Sequence, residues 1–314
     1  MRKALALLCA LALFLPTLAS CNLKKDDGGA FYSFKDSLGS TVCLKERPKK
    51  VAILFSSYAE IWQIAGGRVD ITVKDAIDAG YATDEAVIVH SGSGHSGINR
   101  ELLVAASPDL VIGTADYPDQ VDVCSFTASL GIPSALFRVE SFADYLNVLK
   151  IFTDILGTPE RYEAYGTEVA AEIRMLKDSF SLKNERNLLF LRATKSTLKP
   201  MRSDGHFAAG MLTELGLENI ADGAGDIIGG NLLEYAVRCD PCYVFVTLMG
   251  DEEEAISYAE AELLKPGWSN LSAVRGSRVI YLPKALFQYK PNSRWAEAYR
   301  YLINEINERE NFYD

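Results

Sequence analysis

Residues 142–180 read FADYLNVLKIFTDILGTPERYEAYGTEVAAEIRMLKDSF. From Phe142 to Leu156 the apolar residues recur at helical spacing, and Gly157 closes the run with a residue that tolerates the left-handed helix end. Thr158-Pro159-Glu160 then restarts a helix: a capping residue, a proline at the first helical position and an acid in the first turn. This second helix is expected to run to about Phe180, a rod of roughly 35 Å. Such a helix either covers one large domain or joins two lobes as a strut, and the flanking sequence decides between them.

On the N-terminal side, Val51 to Phe55, Val69 to Val73, Leu110 to Gly113 and Ser134 to Phe137 are short apolar runs, expected as buried strands. Helices are expected between them at Tyr58 to Ala65, Glu101 to Ala106 and about Val121 to Leu130. On the C-terminal side the same alternation returns. Strands are expected at Asn187 to Leu191, Tyr243 to Thr247 and Arg278 to Leu282. Helices are expected at Phe207 to Leu215, Leu232 to Arg238, Glu252 to Leu264 and Ser293 to Ile306. Strand alternating with helix implies a parallel sheet covered on both faces. Two such halves around one long helix make the α/β protein two-lobed, with a cleft between the lobes.

An internal echo supports the division. Asn99-Arg-Glu101-Leu-Leu-Val-Ala-Ala-Ser-Pro108-Asp-Leu-Val-Ile112 and Asn231-Leu-Leu-Glu234-Tyr-Ala-Val-Arg-Cys-Asp-Pro241-Cys-Tyr-Val-Phe245 each place a glutamate near a helix start, then a proline, then a buried strand. Acids favour helix N-termini in any case, but the matched pair points to a shared purpose for Glu101 and Glu234.

The N-terminus sets the compartment. Arg2 and Lys3 precede the apolar stretch Ala4 to Leu15, which is shorter than the roughly 20 residues a membrane span needs. With Leu18-Ala19-Ser20-Cys21 it resembles a bacterial lipoprotein signal, which implies cleavage before Cys21 and lipid on its sulfur. Asn22 to Gly29 is polar and suits a tether, so the chain is expected to be held at a membrane without spanning it. The expected organisation is signal peptide 1–20, lipidated Cys21 with tether and N-terminal segment 21–46, N-terminal lobe 47–157, bridging helix 158–181 and C-terminal lobe 182–314. The net charge of -10 argues against general nucleic-acid binding, which wants a basic face. Cys43, Cys124, Cys239 and Cys242 are too few and too scattered for a disulfide framework. Cys239-Asp-Pro-Cys242 has redox-like spacing without a thioredoxin-like setting, and Cys242 is expected to enter a buried strand.

Across nearly all of the mature sequence the chain resembles the iron-chelate/vitamin B12 class of ABC-importer substrate-binding proteins. The segments that carry the resemblance are Arg47-Pro48-Lys-Lys-Val-Ala-Ile-Leu54 with Ala59-Glu60-Ile61, Ser107-Pro-Asp-Leu-Val-Ile-Gly113 and Leu130-Gly-Ile-Pro133. They continue with Gly216-Leu-Glu-Asn-Ile-Ala221, Trp268 to Val279 and Pro291-Asn-Ser-Arg-Trp295. The resemblance implies two Rossmann-like lobes bridged by a single long α-helix. It also implies one glutamate per lobe that meets arginines on the importer's permease, at positions matching Glu101 and Glu234. Partners implied are the permease and ATPase subunits, and the transported ligand is a ferric siderophore, haem or cobalamin.

In open α/β sheets ligands sit beyond the carboxyl ends of the strands. That rule selects Ser57, Tyr58, the loop Ser91 to His95, and Tyr117 on the first lobe. On the second it selects Arg192, Lys195, Gly205-His206, Leu248-Met249 and the stretch Phe287 to Trp295. Arg192, Lys195 and Arg294 are candidates to pair with a negatively charged chelate. Tyr58, Tyr117, Phe287, Tyr289 and Trp295 are candidates for flat apolar walls. His95 is a candidate ligand contact and a candidate iron ligand should the cargo be haem.

The rival class is an enzyme. The chain has no Gly-x-Ser-x-Gly elbow, no phosphate loop of the Walker type and no His-Glu-x-x-His helix. Its three histidines, His90, His95 and His206, are few for a zinc site or for a binder of bare metal ions. No catalytic residue is assigned, and the expected function is capture of an iron chelate, with cobalamin as the alternative.

Overall fold

A computed structural model describes residues 29–90, 97–183, 186–225 and 232–311. The chain opens with an antiparallel hairpin, β1 (Tyr32–Lys35) and β2 (Thr41–Leu44). Alternate residues, Phe34, Val42 and Leu44, turn inward to the core. The hairpin docks on the first lobe through the buried Asp36, whose carboxylate accepts from the Leu38, Ser40 and Leu136 amides at 3.0, 2.9 and 3.2 Å.

The first lobe then runs β3 (Val51–Ile53), α1 (Ser56–Ile64), β4 (Ile71–Thr72), α2 (Lys74–Asp78), β5 (Val87–Ile88), α3 (Arg100–Ala105), β6 (Leu110–Thr114), α4 (Pro118–Ser129), β7 (Ser134–Phe137) and α5 (Phe142–Leu156). Its five strands are parallel, in the order β5-β4-β3-β6-β7. β3 and β6 are buried at every position, as strands covered on both faces must be. The α5 helix starts on a reciprocal cap between Ser141 and Asp144 and ends at Gly157, whose φ of 71° is left-handed.

The strut follows as α6 (Pro159–Tyr162), a π-helical turn (Glu163–Thr167) and α7 (Glu168–Ser179). Thr158 does not cap it. Its hydroxyl instead donates to the Ala65 carbonyl at 2.7 Å, tying the strut's start to the end of α1. A π turn leaves a carbonyl without its usual partner, and here the Tyr145 hydroxyl of α5 donates to the Tyr165 carbonyl at 3.0 Å. The other end of the strut is fastened to the second lobe. Lys177 pairs with Glu214 at 2.8 Å, Glu214 also accepts from the Tyr299 hydroxyl at 2.7 Å, and Glu172 pairs with Arg300.

The second lobe comprises β8 (Asn187–Ala193), β9 (Leu198–Pro200), α8 (Phe207–Glu214), β10 (Glu218–Asn219), α9 (Leu232–Cys239), β11 (Tyr243–Leu248), α10 (Glu252–Leu263), α11 (Ser272–Arg275), β12 (Val279–Leu282), α12 (Lys284–Phe287) and α13 (Trp295–Asn311). Its parallel strands take the order β10-β8-β11-β12, and β9 pairs antiparallel with β8. Numbered within each lobe from β3 and from β8, both sheets read 2-1-3-4, leaving aside β5 at one edge and the β9 hairpin arm. One hydrophobic core runs from the first lobe through Tyr145 and Ile173 to Phe190, Phe207 and Tyr299 of the second. A second cluster, with Leu189, Leu191, Val244 and Val246, packs the opposite face of the second sheet.

Candidate cleft between the lobes

Strand order reverses between β3 and β6 in one sheet and between β8 and β11 in the other. Those switch points are where an open α/β sheet leaves a crevice beyond its strand ends. The loops at these ends meet across the lobes. Asn292, in the loop before α13, donates from Nδ2 to the Ser57 carbonyl (3.3 Å), to the Ser57 hydroxyl (3.2 Å) and to Glu60 Oε2 (2.5 Å). Lys290 Nζ lies 2.8 Å from Glu140 Oε2, just beyond β7. Asn292 is fully buried with a φ of 51°, a strained conformation for a residue with a side chain. Burial raises the Glu60 carboxyl above its ordinary value, against the opposing hydrogen bonds of Asn292 and Tyr81 and the charge of Arg294.

Behind this clamp the second lobe gathers hydrogen-bond donors. Phe190 and Arg192 project from the same face of β8, since side chains alternate along a strand. The His206 ring lies 5.1 Å from the Phe190 ring and 4.8 Å from the Phe207 ring, and Lys290 Nζ sits 5.2 Å from the Phe207 centroid. His206 is buried, and its Nδ1 accepts from the Ala208 amide at 3.2 Å, which places the proton on Nε2. Burial first, and then the Arg192 and Lys290 charges, push His206 down to about 3, so it is neutral at physiological pH. Its Nε2–H has no hydrogen-bond partner among the described residues. The half-buried Arg192 guanidinium makes no hydrogen bond or ion pair there either, and burial lowers its pKa. Trp295 Nε1, on a ring 5.6 Å from Phe207, is a third buried donor without a partner. A neutral imidazole N–H and a guanidinium, both without an acceptor among the described residues, suit an incoming anionic or carbonyl-rich group.

The residues expected to line the cleft divide by placement. Ser57 is half-buried and engaged by Asn292. Tyr117 is half-buried, its ring 5.9 Å from Phe55. Arg192 lies at the carboxyl end of β8, Lys195 is exposed in the β8–β9 turn, and Tyr289 is 66% exposed. Tyr58, Phe287 and Trp295 are corrections: at 2%, 0% and 1% exposure all three are core, not walls of the cleft. Tyr58 sits in the first turn of α1 against Phe55 and Phe137, and Trp295 in the first turn of α13 between Phe142 and Phe207. Arg294 is also redirected, since its guanidinium is spent on both Glu297 oxygens at 2.7 and 2.8 Å and on the Ala285 carbonyl. His95 and its loop, like Cys21, lie outside the described residues. Glu60 and Glu140 escaped the sequence reading of the site, while Lys290 and Asn292 fall in the selected stretch Phe287 to Trp295 without having been singled out.

Glu101 and Glu234 are both exposed in the first turn of their helices, α3 and α9. Two cavities lie at the other ends of the strands, away from the cleft. One of 480 Å³ is bounded by Arg186, Asn187, Glu218, Cys239 and Asp240, and one of 330 Å³ lies between the hairpin and α4, with Cys43 and Cys124 in its wall. No disulfide joins the described cysteines, and Cys242 is buried at the entrance of β11. Among the described residues no group of three or more His, Cys, Asp or Glu is placed to hold a metal ion. No helix there is long and apolar enough to cross a membrane.

A family model described as periplasmic binding protein matches residues 51–286. No curated protein sequence matches the chain. Among solved structures, the haem-binding protein RhuT from Roseiflexus sp. RS-1 is 20% identical and superposes with a TM-score of 0.64, covering 83% of this chain and 98% of that one. SirA of Staphylococcus aureus, complexed with staphyloferrin B, is 15% identical with a TM-score of 0.64 and covers 89% and 98%. FeuA of Bacillus subtilis, complexed with ferri-bacillibactin, is 13% identical with a TM-score of 0.65 and covers 89% and 98%. At these identities the likeness is one of fold.

Proposed function

Because this chain belongs to the periplasmic binding protein family, with a match over residues 51–286, we propose that it is the substrate-binding component of an ABC importer, taking up a ferric siderophore or haem. It binds its cargo and performs no chemistry on it. The observation that carries the reading is the open donor set at the switch point of the second lobe, Arg192 and His206 Nε2–H, facing loops of the first lobe across a narrow polar clamp. A ferric chelate offers the carboxylate, catecholate or carbonyl oxygens that such donors accept. The neighbours in fold bind haem, staphyloferrin B and ferri-bacillibactin, which favours an iron chelate over cobalamin.

Delivery requires a partner. Glu101 and Glu234, exposed on equivalent turns of the two lobes, suit arginines on a permease, with the ATPase subunits beyond it. Cys21 is the proposed site of lipid attachment, holding the protein outside the cytoplasm at a bacterial membrane. Tyr117, Lys195 and Tyr289 complete the proposed rim of the cleft.

The test is a thermal-shift and absorbance screen of the chain from residue 22 against ferric siderophores, haem and cobalamins. A ligand at 100 times its Kd adds about 2.7 kcal/mol of stability. A shift with an iron chelate is expected, and a Soret band altered by His95→Ala would make that histidine a haem ligand. A shift with cobalamin alone would replace the iron assignment.

A further inference from the structure

Among the described residues, Glu140 of the first lobe pairs with Lys290 of the second, beside the donor cluster. Its Oε2 is 2.8 Å from Lys290 Nζ, with the two side chains 43% and 21% exposed. The neighbouring cation of the first lobe is already committed, since Arg138 Nε holds Asp116 at 2.5 Å and its Nη2 donates to the Ala115 carbonyl. On the other side, Lys290 stands over Phe207, whose ring packs on His206. The His206 Nε2–H, and the Arg192 guanidinium whose charge acts on that imidazole, have no acceptor among the described residues. His206 is 7% exposed, its ring held between those of Phe190 and Phe207.

We propose that Glu140 is an internal stand-in for a carboxylate of the cargo. It neutralises Lys290 while the cleft is empty. A carboxylate-bearing chelate takes its place on Lys290, with Arg192 and His206 Nε2–H as the remaining donors. Loading therefore breaks the Lys290–Glu140 contact across the cleft mouth and leaves that of Asn292 with Ser57 and Glu60. The class of cargo follows: a metal complex carrying free carboxylates, whether a ferric polycarboxylate or the propionates of haem, in preference to an uncharged ferric trihydroxamate. The inference rests on the proposed chelate site and sharpens it.

The experiment titrates wild type, Glu140→Gln and Lys290→Met by tryptophan fluorescence with three probes: ferric citrate, haemin and a neutral ferric trihydroxamate. Glu140→Gln removes the competitor and is expected to tighten a carboxylate-bearing probe about fivefold, the upper range for a partly exposed ion pair. Lys290→Met should weaken that same probe by a similar or larger factor, and neither variant should move the trihydroxamate. Citrate and haemin separate the two carboxylate sources by which of them binds. A bound chelate whose Kd is unchanged or weakened in Glu140→Gln overturns the stand-in role and leaves the cleft reading intact. Preference of the wild type for the trihydroxamate overturns the cargo class. No binding of any probe to wild type or variants removes the cleft reading, and the proposal with it.

Discussion

Ser107 and Asp240 occupy the same place in the two lobes. Each is a non-glycine residue in the left-handed region, at φ 52° and 42°, immediately before a proline and a buried strand. The amide two residues beyond each then bonds the carbonyl of the neighbouring strand's entrance, Asp109 to Lys50 at 2.8 Å and Cys242 to Asn187 at 3.1 Å. A glutamate precedes each by six positions, so Glu101 and Glu234 leave equivalent turns of a duplicated unit. From this follows an uptake prediction. Replacing both glutamates with alanine should abolish import by whole cells while the Kd of the isolated protein stays at the wild-type value. Loss of binding in the double variant would refute the docking role.

The shared turn also separates strain from hydrogen bonding. Left-handed backbone costs about 1–2 kcal/mol in a residue with a side chain, so Ser107→Gly should raise stability in urea by about 0.5–1 kcal/mol. Asp240→Gly should not, because the Asp240 carboxylate accepts from the Ser272 amide at 2.7 Å and the Ser272 hydroxyl at 2.6 Å. Equal gains in both variants would contradict this account.

Those same bonds from Ser272 hold the Asp240 carboxyl below its ordinary value. The folded pKa is depressed, so its stabilisation is present above the unfolded value and is lost as pH falls through the folded one. His206 acts in the same direction from the basic side. With a folded value near 3 against 6.5 unfolded, it takes up a proton more readily when unfolded, and stability falls as pH drops from 6.5 toward 3. Wild type should therefore lose more stability than His206→Gln across that window, measured by urea midpoints at stepped pH. Parallel curves would show that His206 is not held neutral by the fold.

Asn292 supports the junction of the lobes. Alanine there keeps the strained φ, removes the donor to Ser57 and leaves the half-buried Glu60 without its closest partner. The expected loss is about 2–3 kcal/mol. Asn292→Gly, free of the strain, should lose less. A change below about 0.5 kcal/mol in both would show that the clamp contributes nothing to stability.

The architecture was legible because it is written in long, regular signals. The α5 helix spans Phe142–Leu156 as its periodicity and Gly157 predict, and the buried runs at β6, β7 and β11 are apolar at nearly every position. The hairpin β1–β2 carries only four-residue alternation, and β5 and β10 are two residues each, too short to leave a pattern, whereas β4 was legible through the apolar run Val69 to Val73 around it. The site was less legible. Tyr58 and Trp295 adjoin polar loops in the chain but turn into the core from the first turn of their helices, a direction set by packing. Lys290, Glu140 and Asn292 owe their roles to partners 150 and 235 positions away, which no local pattern encodes. Arg192 was selected because it follows a strand at a sheet's carboxyl edge.

Arg192 also gives the most direct test of the cleft. The tightest iron chelate from the screen is titrated calorimetrically into wild type and Arg192→Ala. Because the guanidinium has no hydrogen-bond or ion-pair partner among the described residues, the variant should keep its urea midpoint. It should lose about tenfold or more in affinity, the loss of a charge-assisted hydrogen bond to the cargo. An unchanged Kd with an unchanged midpoint would place the chelate elsewhere on the protein and contradict the account.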